Sequence, residues 1–190
     1  MPHVSFRPIT EQDIELVRQW RNSQRVNSQM LNQQMITQES QRAWFESIKN
    51  NSSQKHFLCL LDQRPVGVLN FVDITNDDCE WGCYIGEERV LPGIGLVLEA
   101  AALYYSFNHL NIKLLNANVL ADNKGPQAMH RLFGYQELTA KNVTNASGDV
   151  LTMSCFCYQR EQWALNYRAV CAKLPKPILK VIETITFIDE

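Results

Sequence analysis

Arg89-Val-Leu-Pro-Gly-Ile-Gly95 runs directly into the apolar segment Leu96-Val-Leu-Glu-Ala-Ala-Ala-Leu-Tyr-Tyr-Ser-Phe107. Its two glycines, Gly93 and Gly95, stand one residue apart before a segment of helical length. Glycine permits positive φ and lets a ligand approach the backbone closely. The free N–H groups at a helix start, aligned with the helix dipole, attract anions. The segment therefore predicts either a phosphate-binding helix start or an ordinary glycine turn before a core helix.

The loop differs from two other phosphate loops. It lacks the Lys-Ser/Thr ending of a P-loop and the third glycine of the dinucleotide fingerprint. If it binds phosphate, a branched side chain at either glycine is expected to weaken cofactor binding while the fold persists.

Length and composition narrow the class of protein. The chain has 190 residues, 45% of them hydrophobic and 20% charged, which fits one globular domain. A net charge of -2 gives no reason to expect nucleic acid or an anionic membrane as a partner. The first residues do not resemble a signal peptide and no run is both long and apolar enough to span a bilayer, so a cytoplasmic protein is expected.

The six cysteines show no C-x-x-C pair and no Cys/His spacing typical of a metal site. Reduced thiols and no bound metal are therefore expected. A metal or redox role for Cys155 and Cys157, which would share one strand face, is the alternative.

Hydrophobic periodicity predicts the order β-α-α-β-β-β-α-β-α-β-β. The predicted strands are 4–9, 56–61, 66–72, 79–85, 114–120, 135–139 and 150–159. A helix over 38–48 is expected to turn Ala43, Trp44 and Ile48 inward, with Thr37 as its N-cap. The strands around the glycine loop form a β-α-β unit within a mostly antiparallel α/β (α+β) sheet. Residues 164–190 form an extension of unknown role with a β-prone stretch at 178–188.

This layout and three motifs resemble the GNAT superfamily of acetyl-CoA-dependent N-acetyltransferases over roughly residues 4–163, which implies a GNAT domain at residues 1–163. The first motif is the glycine loop, although Val90 stands where the family usually has Gln or Arg. The second, Asn118 to Lys124 followed by Ala128-Met-His-Arg-Leu-Phe-Gly-Tyr135, is similar to the family's Asn-x-x-(Ser/Ala) helix that ends in Gly-Phe or Gly-Tyr. The third, Glu80-Trp-Gly-Cys-Tyr-Ile85, resembles the strand that splays from its neighbour to admit pantetheine.

The resemblance implies the GNAT fold, a central mixed and mostly antiparallel sheet flanked by helices, with a splayed strand pair for acetyl-CoA. It also implies acetyl-CoA as co-substrate, without a metal. The expected cofactor-binding residues are Tyr84, Ile85, Leu91, Pro92, Gly93, Ile94, Gly95, Leu96, Asn118 and Asn123.

Three catalytic residues follow from the resemblance and from the chemistry of amine acetylation. His130 stands where many members have a tyrosine, and an imidazolium can protonate the leaving thiolate; the alternative is a surface histidine. Tyr84 is a substitute acid, as is Tyr135. Glu80 is expected to accept the amine proton through water, or else to be a strand residue facing solvent. Direct attack on the thioester requires no nucleophile, so Cys83 is assigned no role.

The expected acceptor is a small nucleotide sugar. Trp20-Arg-Asn22 and Pro92-Gly-Ile-Gly95 are similar to the GNAT enzymes that acetylate a UDP-4-amino-4,6-dideoxy sugar in pseudaminic acid biosynthesis. Arg21 or Arg25 would hold the diphosphate, and an aromatic ring would stack on uracil. The expected substrate-binding residues are Trp20, Arg21, Asn22, Met30 and His56. The alternatives are a protein N-terminal or polyamine N-acetyltransferase and a non-catalytic acyl-CoA-binding module, and a homodimer is compatible with each of them.

Overall fold

The computed structural model describes residues 2–188. The strands are β1 (Val4–Pro8), β2 (Lys55–Leu61), β3 (Arg64–Val72), β4 (Asp78–Ile85), β5 (Leu114–Leu120), β6 (Gln136–Thr144), β7 (Val150–Gln159) and β8 (Thr186–Phe187). The α-helices are α1 (Ile14–Asn22), α2 (Gln24–Asn27), α3 (Gln38–Ile48), α4 (Ile94–Asn108), α5 (Lys124–Phe133), α6 (Arg160–Cys171) and α7 (Lys176–Ile182), and a 3-10 turn at Glu11–Asp13 precedes α1.

The strands form one sheet in the order β6-β7-β5-β4-β3-β2-β1-β8. Neighbouring strands run antiparallel except for the parallel pairs β4–β5 and β1–β8. The parallel β4–β5 pair is joined by α4, because strands that point the same way need a crossover connection. This confirms the predicted mixed, mostly antiparallel sheet with a central β-α-β unit.

The sheet opens in its middle. β4 and β5 pair only from Asp78↔Leu114 to Glu80↔Asn116. On its other side, β4 stays paired with β3 as far as Gly67↔Ile85. The edge of β4 that faces β5 is therefore unpaired from Trp81 onward, and the predicted splayed strand pair is confirmed.

Two apolar clusters cover the two faces of the sheet. The larger one surrounds α4, in which buried residues occur all around the helix, as expected for a helix inside a core. The smaller cluster joins α1 and α3 to β2 and β3 through Val17, Phe45 and Leu58. Any ligand between β4 and β5 therefore lies between two helical layers.

The C-terminal segment departs from its predicted β character. It forms α6 and α7, and β8 alone adds a short strand beside β1. Ile178, Val181 and Ile182 recur at helical spacing and pack into the larger cluster, so tertiary burial determines the helix. The helix α6 spans the boundary that we predicted at residue 163. Met1 and residues 189–190, the ends of the predicted domain and extension, lie outside the described residues.

The inward face of α3 agrees with the prediction in part. Trp44 and Ile48 pack against the smaller cluster as predicted. However, Gln41 and Phe45 are the buried residues, and Ala43 is exposed. The predicted N-cap is confirmed, because the Thr37 hydroxyl accepts a hydrogen bond from the amide of Ser40 at 3.1 Å. Across residues 2–188, no helix is both long and apolar enough to cross a membrane.

Candidate active site

A cavity of about 800 Å³ occupies the opening between β4 and β5. α1, α2 and α3 contribute to one side of it, and α4 and α5 to the other. The predicted site residues that line it are Arg21, Met30, His56, Glu80, Tyr84, Ile85, Gly95, Asn118, Asn123 and His130. Ten residues predicted from separate segments therefore meet in one cavity.

Strand alternation gives β4 a different chemistry on each face. Glu80 and Tyr84 project toward the α1–α3 side, and Tyr84 packs against the smaller cluster. Trp81 and Cys83 project toward α4 and the larger cluster. A substrate group in the opening can therefore meet different side chains from the two faces.

The glycine loop has the predicted backbone form. Gly93 is the N-cap of α4 with φ of 87°, which favours glycine. The amides of Ile94 and Leu96 already donate within the turn, to Leu91 and Gly93 carbonyls at 3.0 and 2.9 Å. Pro92 has no N–H. The amide donors left for a phosphate are thus those of Leu91, Gly93 and Gly95, fewer than the predicted run.

Side chains pack closely behind both glycines. A Cβ at Gly93 would lie 2.8 Å from Ile178 Cδ1, and one at Gly95 would lie 3.0 Å from Met129 Sδ. Ile178 of α7 occupies the space behind Gly93. A side chain at residue 93 would therefore collide with α7 as well as with any bound phosphate.

Two asparagines border the opening. Asn118 Nδ2 donates to Glu80 Oε2 at 2.5 Å, across the point where β4 and β5 separate. Asn123 is the N-cap of α5, but within residues 2–188 its side chain makes no capping bond. Instead Gln127 Nε2 donates to the Asn123 carbonyl at 3.2 Å and closes the helix start. The Asn123 side chain is therefore available to a ligand.

Glu80 is half-buried at the middle of the cavity. Burial raises the pKa of its carboxyl, and the hydrogen bond from Asn118 and the charge of Lys141 oppose that shift. A carboxylate with a raised pKa is a better base near neutral pH than a surface glutamate. The same side chain also borders a second, smaller pocket over β5, β6 and β7.

His130 is buried, not a surface residue. Only 3% of it is exposed, and its Nδ1 lies 2.8 Å from Glu99 Oε1 on α4. The rings of Trp81, Tyr135 and Phe156 lie 5.7, 4.8 and 5.0 Å from the imidazole centroid. The alternative of a surface histidine is therefore wrong, because the imidazole lines the cavity from within the core.

The sequence profile described as "Acetyltransferase (GNAT) domain" matches residues 3–136, most of the chain. The chain belongs to the GNAT acetyltransferase family. Acetyltransferase PseH of Campylobacter jejuni subsp. jejuni serotype O:23/36 (strain 81-176) is 33% identical over 120 residues, 63% of this chain and 74% of that protein. PseH from serotype O:2 of the same subspecies is also 33% identical, over 119 residues.

Solved structures share the GNAT fold. The Campylobacter jejuni N-acetyltransferase PseH in complex with acetyl coenzyme A superposes with a TM-score of 0.63 at 21% identity, over 83% of this chain and 99% of that one. The Vibrio cholerae spermidine N-acetyltransferase in complex with CoA and spermine gives 0.78 at 15% identity, over 85% and 98%. This GNAT protein is accordingly an N-acetyltransferase that uses acetyl-CoA, which sets aside the non-catalytic binding module.

Two predicted acceptor residues of this GNAT enzyme lie outside the cavity. Trp20 is buried in the smaller cluster, and its Nε1 donates a hydrogen bond to Glu87 at 3.0 Å. Its ring lies against Gly86, where an added Cβ would be 2.0 Å from the indole. The Asn22 amide bonds both the N–H and the carbonyl of Ile36, each at 2.8 Å. We therefore remove both from the acceptor site, because their polar groups already hold the local fold together.

Sequence reasoning missed several polar or aromatic residues that line the cavity, and three of them bear on the arguments below. Gln41 and Trp44 stand one turn apart on α3, and Glu99 lies inside α4. The signals were present in the sequence: a glutamine at helical spacing from Phe45 and Ile48, and one carboxylate within an otherwise apolar run. Gln41 is 4% exposed, and its Nε2 finds no hydrogen-bond partner among the described residues.

The cysteines lie in apolar surroundings. The described residues contain six free cysteines, and none of their His, Cys, Asp and Glu side chains group in threes that could hold a metal ion. Burial raises the pKa of Cys59 and of Cys79 to about 12, so both thiols stay protonated at neutral pH.

Proposed function

We propose that this GNAT enzyme acetylates the 4-amino group of a UDP-4-amino-4,6-dideoxy sugar, a step in pseudaminic acid formation. The observation that carries the proposal is the guanidinium of Arg21. Its Nη1 is buried in the cavity wall and has no hydrogen-bond partner within the described chain. Burial lowers the pKa of Arg21, which records the cost of holding this charge away from water.

A buried cation without a counter-ion is stabilised by an anionic ligand. A guanidinium fits phosphate oxygens in a forked, two-bond geometry. Arg21 also lies over the Tyr84 ring, 5.9 Å from its centroid, which fixes it beside the strand edge. The neighbouring Arg25 is already bound to the carbonyls of Ile85 and Gly86, at 2.9 and 2.6 Å. Of the two predicted diphosphate ligands, Arg21 is therefore the better supported.

The charges of the cavity disfavour a polyamine acceptor. A polyamine site requires clustered carboxylates, and of the four acidic residues Asp73, Asp77, Asp78 and Glu80, Glu80 alone lines the cavity. Asp77 pairs with Lys113 at 2.6 Å, and Asp78 accepts from Thr75 at 2.6 Å. Spermidine would also bring positive charge next to Arg21. The likeness to spermidine acetyltransferases supports the shared fold alone.

The wall beyond Arg21 suits a planar, uncharged base. Trp44 and His56 meet edge to face at 5.2 Å between ring centroids. Burial lowers the pKa of His56 to about 4, so the imidazole is neutral at pH 7 and hydrogen-bonds without adding charge. We propose that these rings pack against uracil and that the unpartnered Gln41 amide donates to one of its carbonyls.

The cofactor contacts use backbone more than side chains. The unpaired edge of β4 at Tyr84 and Ile85 can hydrogen-bond pantetheine as an added strand. The amides of Leu91, Gly93 and Gly95 at the start of α4 would bind the pyrophosphate. Asn118 and Asn123, on either side of the opening, fit hydrogen bonds to the pantetheine end.

Acetyl-CoA supplies the acetyl group as a thioester. On the α1–α3 face, Glu80 takes the amine proton, directly or through water, while nitrogen attacks the carbonyl carbon. The new C–N bond replaces the C–S bond, and the electron pair leaves with sulfur. From the α4–α5 face, His130 gives the thiolate its proton. The base and the acid thus act from opposite faces of the opening.

Thiol release from acetyl-CoA tests the proposal with a panel of UDP-4-amino-4,6-dideoxy sugars, spermidine and peptides with free N-termini. We expect one UDP-amino sugar to give the highest kcat/KM. Arg21→Met should lower kcat/KM for that sugar about 10- to 100-fold, since a hydrogen bond to a charged group contributes about 1.5–3 kcal/mol. Arg42→Met, which removes an exposed arginine of α3, is the matched control and should change nothing. Faster turnover of spermidine or a peptide would overturn the proposal.

We also propose that the enzyme works in the cytoplasm, because its six described cysteines are unpaired. The predicted homodimer stays a prediction, and sedimentation analysis would test it.

A further inference from the structure

We infer that Glu99 is a positioning residue for catalysis, which holds Nδ1 of His130 and thereby orients its imidazole. The inference rests on the proposed role of His130 as the acid for the departing thiolate. Glu99 itself would not touch the substrate, and its effect would be exerted through the imidazole.

The observation that supports the inference is a carboxyl group inside α4, the helix that the larger apolar cluster surrounds. Glu99 lies in α4 with 0% exposure, between Leu98 and Ala100. Its Oε1 lies 2.8 Å from His130 Nδ1, and within residues 2–188 its Oε2 has no hydrogen-bond partner. A buried carboxylate with one free oxygen is costly, whereas an alanine or leucine there would extend the apolar core. A cost of this kind is expected where the group has a functional role.

The other titratable groups described around the Glu99–His130 pair add no negative charge to it. Cys83 faces Glu99 from β4, and Tyr135, just past the end of α5, faces both the Glu99 carboxyl and the imidazole. The ring of Tyr158 of β7 lies 4.9 Å from that of Tyr135. Burial raises the pKa of all three, so each is neutral near pH 7. The nearby cation, Arg131, lies on the Phe156 ring at 5.7 Å and pairs outward with Glu137 at 2.8 Å.

This geometry assigns the two ring nitrogens different tasks. Because Nδ1 is hydrogen-bonded to Glu99, Nε2 is the nitrogen left for the cavity, which His130 lines. Burial raises the pKa of Glu99, and the hydrogen bond with His130 opposes that shift. By holding Nδ1, Glu99 would keep the ring in the orientation from which a proton on Nε2 can reach sulfur.

Kinetics on the whole 190-residue chain, with the fastest amine of the acceptor panel, test the inference for any acceptor. Glu99→Gln removes the ionisable carboxyl group beside the imidazole, so the pH profile of kcat should change shape. At pH 8, kcat should fall about tenfold, while KM for acetyl-CoA changes less than about threefold. Ser106→Ala removes another fully buried polar group of α4 and should leave the profile unchanged.

A double-mutant cycle separates positioning from a purely structural role. In a His130→Tyr background, Glu99→Gln should have little further effect, because its route to the reaction is gone. The inference would be overturned if Glu99→Gln lowered kcat equally in the wild-type and His130→Tyr backgrounds. It would also be overturned if Glu99→Gln had the wild-type pH profile of kcat while His130→Phe was impaired. If His130→Phe keeps the wild-type kcat and profile, the acid role itself fails. Thermal unfolding establishes that each variant is folded, and Glu99→Met serves as a second removal of the carboxyl group.

Discussion

Gly93→Ala tests how the C-terminal segment supports the cofactor loop. Gly93 has φ of 87°, a conformation that costs a residue with a Cβ about 1–2 kcal/mol. The added Cβ would lie 2.8 Å from Ile178 Cδ1 and 3.0 Å from Cγ1, and overpacking of this kind costs roughly 1–3 kcal/mol. Together these terms predict a loss of about 2–5 kcal/mol in the free energy of unfolding. This revises our expectation that a side chain at Gly93 leaves the fold intact.

The chain contains a matched control for the backbone term. Gly148 has φ of 89°, and a Cβ there would meet nothing within 4 Å. Gly148→Ala should therefore cost about 1–2 kcal/mol, and the difference from Gly93→Ala isolates the collision with α7. Ile178→Val removes the nearer colliding methyl, so Gly93→Ala should cost less in that background by about 0.5 kcal/mol or more.

Urea denaturation followed by circular dichroism measures these free energies, and calorimetry with CoA measures cofactor affinity at a temperature where each variant is folded. Equal losses for Gly93→Ala and Gly148→Ala, with no coupling to Ile178→Val, would refute the argument that α7 packs against the loop.

Three further predictions concern catalysis and stability. His130→Phe should lower kcat about 10²-fold and change the shape of its pH profile, and His130→Tyr should restore part of the rate, both measured by thiol release. Glu80→Gln should lower kcat by about 10²-fold or more and remove the low-pH limb of the profile, because the group that must be ionised is gone; an unchanged limb would contradict the base assignment. Burial alone would raise the pKa of Asp13, but its bonds with Arg7 and Thr10 outweigh burial and lower it. The folded-state pKa of Asp13 thus lies below the unfolded value, so its contribution to stability is present above the unfolded pKa and is lost as pH falls through the folded one. Urea titrations should show Asp13→Asn less stable than wild type at pH 7, with the difference shrinking as the pH falls below the unfolded pKa.

The elements that sequence analysis predicted well are those that local chemistry determines. Gly134 ends α5 with φ of 92°, and the strands at Leu114–Leu120 and Val150–Gln159 have the predicted bounds. In each case a short pattern of alternating or apolar residues, bounded by turn residues, is sufficient. The glycine loop and the splayed strand were likewise readable, because they depend on residues adjacent in sequence.

What sequence analysis missed depends on which helix face meets the rest of the fold. α3 contains aromatic residues at both Trp44 and Phe45, so its apolar stripe can be drawn one position to either side. Gln41 and Phe45 face inward because of where α1 lies above the sheet, and this position cannot be deduced from the local periodicity of α3. The C-terminal β-prone residues became a helix for the same reason, because α4 offered them an apolar surface.

The two tryptophans illustrate why a motif does not identify the residue that contacts a ligand. Trp20 belongs to the Trp20-Arg-Asn22 resemblance, yet its indole is fixed between Gly86 and the smaller cluster, and its N–H is bonded to Glu87. What such a tryptophan provides is the placement of its neighbour: with Trp20 anchored, Arg21 on the next position of α1 lines the cavity, and its Nη1 has no hydrogen-bond partner within residues 2–188. In the function that we propose, Trp44 on another helix supplies the aromatic surface for the base. On that proposal, the first residue of the motif supports the anion site and the second binds the anion.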